Sequence, residues 1–167
     1  MTESDLGCLL IATTLLNDML DEKIRAKFSE LSGIDRKYLD FLFEPKRGPL
    51  GSFGVKIVVA RASGVIDNRL HSTLSKIQEF RNPQAHTRTA FSFTKNAVKA
   101  ITQQLGHDVD KLIFDFAAWF KIYFDKLNPF GHKFTVERLA FIWAVATILN
   151  LLRPMPTASP AASPTAH

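Results

Sequence analysis

Leu6, Leu9, Leu10, Thr13, Leu16, Leu20, Ile24 and Phe28 recur at steps of three and four. That spacing returns one face of a helix every turn, so an amphipathic helix is predicted from Ser4 to about Phe28. A helix of that length is a spine that needs helical partners to cover its apolar stripe. The same period returns in "DNRLHSTLSKIQEFR", where Leu70, Leu74 and Ile77 line one face behind an Asp67 cap. Continuing that stripe by four reaches Arg81, which places a guanidinium on the inward face, where it needs a carboxylate, carbonyl or ligand partner.

The remaining elements are read from their punctuation. Gly33 breaks the chain and Asp35 caps a short helix through Phe43. "EPKRGPLGS" is a loop, because Pro45, Gly48, Pro49 and Gly51 exclude regular structure. Ser52 caps "FGVKIVVARA", with Phe53, Ile57 and Ala60 on one stripe and Gly64 at the C-terminal cap position. Its β-branched run, Val55 with Ile57 to Val59, makes a strand the alternative, and the pair of caps favours the helix. "TAFSF" is strand-like, Thr94 caps a helix from Lys95 to Leu105, and Gly106 ends it. "DVDKLIFDFAAWFKIYFDKLN" reads as an aromatic helix closed by "NPFG", and Thr135 opens the last helix, which stops before Pro154.

The expectation is therefore an all-α, single-domain bundle of six to seven helices over residues 1–153. The tail 154–167 is built from Pro, Ala, Ser and Thr apart from Met155 and His167, has no core to bury, and is expected to be disordered. At 167 residues and 46% hydrophobic, with 14 Phe, the chain has apolar mass enough for one core.

A single cysteine, Cys8, excludes an internal disulfide and points to a reducing compartment, so a cytoplasmic location is expected. The N-terminus starts acidic and polar, and Asn17 and Asp18 interrupt its apolar positions, which is unlike a signal peptide. The longest apolar stretch, "LAFIWAVATILNLL", has fourteen residues where about 20 are needed to cross a bilayer, so no membrane segment is expected.

Charge is uneven. Residues 45–107 carry ten basic and two acidic side chains, whereas the rest carry 11 and 14. A basic island of this kind suits phosphate, nucleic acid or an acidic partner, or is simply a solvated face. There is no Gly-Lys pair for a Gly-x-x-x-x-Gly-Lys-Ser/Thr phosphate-binding loop, no His-Glu-x-x-His, no second Cys and no Gly-x-Ser-x-Gly. Neither a metal nor a cofactor is expected. In "KRGPLGSFGVK", Lys46, Arg47, Ser52 and Lys56 are candidates for anion or nucleic-acid binding, with helix capping by Ser52 as the competing explanation.

"FRNPQAH", Phe80 to His86, is the sharpest feature. Read structurally, Asn82 and Pro83 end a helix, and Arg81 sits favourably at its negative end. Read chemically, His86 moves a proton on a ribose hydroxyl, Arg81 neutralises charge on a phosphate and Asn82 orients either. Cleavage of RNA by internal attack needs no metal, and two copies facing one another in a homodimer would form a cleft for a single strand.

Gly48, Pro49, Leu50, Ser52, Phe53, Lys56, Ile57, Gly64, Ile66, Arg81, Asn82, Ala85 and His86 resemble, in order and spacing, the pattern of the bacterial mannitol operon repressor family, over roughly residues 5–105. The resemblance implies an all-helical fold and transcriptional regulation. No helix-turn-helix with a recognition helix is legible, so action through a protein partner is expected and direct sequence-specific DNA binding is not. Arg-Asn-x-x-Ala-His is also similar to the Arg-x(4–6)-His signature of the HEPN superfamily, many of whose members are dimeric ribonucleases. That similarity implies Arg81 and His86 as catalytic positions, Asn82 as helper and RNA as substrate. Regulator and metal-independent endoribonuclease both stand open on the sequence.

Overall fold

Every described helix starts where a short polar side chain closes its first turn. The structure is a computed structural model that describes residues 4–30, 35–84, 91–106 and 135–153. Ser4 accepts from the Gly7 amide at 3.0 Å and opens α1, Asp5–Ser29. Asp35 accepts from Lys37 at 2.9 Å at the head of α2, Arg36–Leu42. Ser52 caps α3, Phe53–Ala62, and Asp67 accepts from Leu70 at 2.8 Å ahead of α4, Asn68–Gln84. Thr94 and Thr135 do the same for α5, Lys95–Gln104, and α6, Val136–Leu152. Each such oxygen satisfies an amide that the helix itself leaves without a partner.

Among the described residues all regular structure is helical, as the periodicity predicts. α1 packs on α3, α4 and α6, α4 packs on α3 and α5, and α5 packs on α6, so the five longer helices close a ring around one core. Leu9, Leu16, Leu20 and Ile24 of α1 meet Ile57, Leu74, Ile77, Val98, Ile101, Phe141 and Ile148 there, all essentially without solvent exposure. Burying each such side chain contributes about 1.5–3 kcal/mol. The α1 stripe holds with one exception, Leu10, which faces solvent.

"EPKRGPLGS" is a loop, as expected, and a tight one: the Gly48 amide reaches Glu44 O at 2.8 Å and Leu50 reaches back to Leu42 O at 2.8 Å. A Cβ on Gly48 would lie 2.5 Å from the carbonyl oxygens of Phe41 and Leu42, so only glycine fits. "TAFSF" forms no strand in its described part; Phe93 instead stacks on Phe141 with ring centroids 4.5 Å apart. And α4 continues through Pro83 to Gln84. Pro83 sits in the final turn, so the missing N–H strands only the carbonyl of Glu79, a solvent-exposed residue. The aromatic stretch 108–128, His86 and the tail lie outside the described residues.

Candidate functional site

Arg81 is the first surprise. The Leu70–Leu74–Ile77 stripe is buried as predicted, yet Arg81, one step further, is exposed. Arg81 instead lies along an open cleft beside α1, where the charge stays in contact with solvent and avoids desolvation. Arg81 lines an open cleft of about 300 Å³ with Thr13, Thr14 and Asn17 of α1 and with Gly51, Ser52 and Phe53 where the glycine turn meets α3. No side chain among the described residues hydrogen-bonds or ion-pairs with its guanidinium. Asn82, beside it, is also exposed.

Lys56 is the second. Offered by the sequence as an anion ligand, it is 3% exposed and its ammonium lies 2.8 Å from Asp21 Oδ2. Asp21 also accepts from Arg25, which binds Asp40 at 2.9 Å and lies over the Phe43 ring at 4.1 Å. The cluster ties α1, α2 and α3 together and leaves Lys56 no charge for an outside anion. Its removal from the anion set is a correction with a simple cause: α3 turns that face toward α1, and a buried ammonium takes the nearest carboxylate. Lys46 and Arg47 stand exposed on the glycine turn, and neither lines the cleft. Ser52 does line it, while its hydroxyl accepts the Val55 amide at 3.4 Å.

A third charged site carries no sequence signal of its own. Asp5 is 6% exposed and accepts from the Phe93 amide and Ser92 Oγ, each at 3.0 Å, and from Arg138 of α6. Burial alone pushes the Asp5 carboxyl up, but the Phe93 amide, Arg138 and Ser92 together outweigh it and hold the group below the usual carboxylate range. Its only legible trace is an acid in the first turn of a helix, a favourable position found on many helices.

The cleft thus joins two stretches that the sequence presents separately, the glycine turn through Ser52 and Phe53 and the end of α4 through Arg81. Thr14 and Asn17 belong to neither and were missed; both are polar residues off the apolar stripe of α1, which reads as an ordinary solvent face. Asn17 donates to Asp18 Oδ1 at 3.3 Å, which leaves its carbonyl oxygen and second N–H available. His86 lies outside the described residues. Among the described residues no group of three His, Cys, Asp or Glu gathers to hold a metal ion, and no helix is long and apolar enough to cross a membrane.

Comparison with protein-family models, with curated proteins and with solved structures returns no match for this chain. The family resemblance accordingly rests on the motif residues alone.

Proposed function

We propose that this chain is a transcriptional regulator of the mannitol operon repressor type that acts through a protein partner. The observation that supports the reading is convergence. Ser52 and Phe53 of the Gly-Pro-Leu-x-Ser-Phe stretch and Arg81 of the Arg-Asn stretch, far apart in sequence, share one cleft. A motif that served only to end helices would have no need to meet. The test measures transcription from a mannitol operon promoter in cells with and without the chain, and then with Arg81→Ala. Repression that depends on the chain supports the proposal; unchanged transcription in all three rejects it.

A second reading, a metal-independent endoribonuclease of the HEPN type, draws support from the state of Arg81: an unpaired guanidinium at an open cleft suits a phosphodiester. Labelled RNA in EDTA separates the two. Cleavage by the parent chain that disappears in Arg81→Ala and His86→Ala supports the enzyme, with Asn82→Ala expected to weaken it; intact RNA with all of them removes it.

A further inference from the structure

We propose that the cleft between α1 and α4 binds a small phosphate ester, with Arg81 on the phosphate and Thr14 and Asn17 on the polar remainder of the molecule. The inference deepens the regulatory reading by giving that same site an effector. Arg81 brings a fixed positive charge and a planar fork of donors, unspent among the described residues. Across from it, Thr14 and Asn17 stand three residues apart on one face of α1, both lining the cavity. The Thr14 hydroxyl donates to Leu10 O at 3.0 Å, so toward the cleft it is an acceptor, whereas the Asn17 amide offers both a donor and an acceptor. The Thr14 acceptor beside the cation is wrong for a bare anion, while the Asn17 amide serves either a hydroxyl or a base. The pair is right for hydroxyls or a base edge attached to a phosphate.

Size narrows the ligand further. A volume of about 300 Å³ is at the lower end for small-molecule pockets and holds a sugar phosphate or a single mononucleotide. The half-buried Phe53 ring, packed against the core, supplies a rigid apolar wall. A sugar phosphate and a mononucleotide share the phosphate-ester chemistry and differ in what Asn17 and Phe53 meet.

The experiment titrates the full chain with inorganic phosphate, ribose phosphate, adenosine monophosphate and unphosphorylated adenosine, read by calorimetry and by amide shifts in two-dimensional NMR. At least one ester is expected to bind saturably and more tightly than inorganic phosphate or adenosine, with shifts centred on Thr14, Asn17 and Phe53. Arg81→Gln should weaken it about tenfold or more, the scale of a lost charge-assisted contact, and Asn17→Ala about threefold to tenfold. Both changes are at the surface, and an unaltered unfolding midpoint verifies that each variant is folded. Ester binding no tighter than inorganic phosphate, Asn17→Ala binding like the parent, or no saturable binding overturns the proposal. Because the promoter assay is read without added ester, repression that persists while ester binding fails removes the effector and leaves the regulatory reading intact.

Discussion

Lys56 and Arg81 lie on neighbouring helices and invite opposite forecasts from the ones the fold fulfils. Lys56 belongs to the glycine-turn stretch and looks like an outward cation; it is buried and locked to Asp21. Arg81 continues a buried stripe and looks inward; it is exposed and unpaired among the described residues. The difference teaches where charge in this protein is structural and where it is available. A cation enclosed by α1, α2 and α3 is neutralised on the spot, whereas one at an exposed helix end beside an open cleft keeps its charge for something else.

The hardest blow to that contrast is Asp21→Ala. It strands the Lys56 ammonium in the interior, and a loss of about 3–5 kcal/mol is expected in urea unfolding. Lys56→Met with Asp21→Leu together should cost far less, because a well-packed apolar pair replaces a desolvated ionic one. If Asp21→Ala costs nothing, Lys56 is not enclosed in solution and the contrast fails. Gly48→Ala comes next, at about 2–3 kcal/mol, since its methyl would meet backbone oxygens that have no room to retreat; this shows whether the turn that feeds Ser52 into the cleft is rigid.

Asp5 adds a pH test of the enclosed class. Its folded carboxyl sits below the usual range, so its contribution to stability is fully present above the ordinary carboxylate value of about 3.8 and is lost as pH falls through the lower folded value. Asp5→Asn should lower stability at neutral pH and flatten the acid limb of a stability-versus-pH curve below that point. Smallest of all, Arg81→Ala should shift stability by no more than about 0.5 kcal/mol while it weakens ester binding about tenfold or more. A large destabilisation would place Arg81 among the enclosed charges after all.

Local signals were legible and distant ones were not. Asp35, Ser52, Asp67 and Thr94 could be assigned as caps because each cap and its target amide lie two or three residues apart, within the reach of a short pattern. The helices follow from those caps and from apolar spacing. The burial of Lys56 leaves no local trace because its partner is 35 residues upstream, and the clasp of Asp5 leaves none because its partners are 87, 88 and 133 residues away. Thr14 and Asn17 escaped for a related reason: a polar face of a helix looks the same whether it meets water or walls a cavity. Periodicity also says which way Arg81 points around α4 without saying whether a neighbouring helix covers it or an open cleft lies there.

The Asp5 clasp sets an order of events during synthesis. α1 precedes the other described helices, but the arginine that secures its head belongs to α6, made more than a hundred residues later. Until then the oily side of the spine has no far wall, and the ring cannot close. Contacts of such long reach slow the search for the native state.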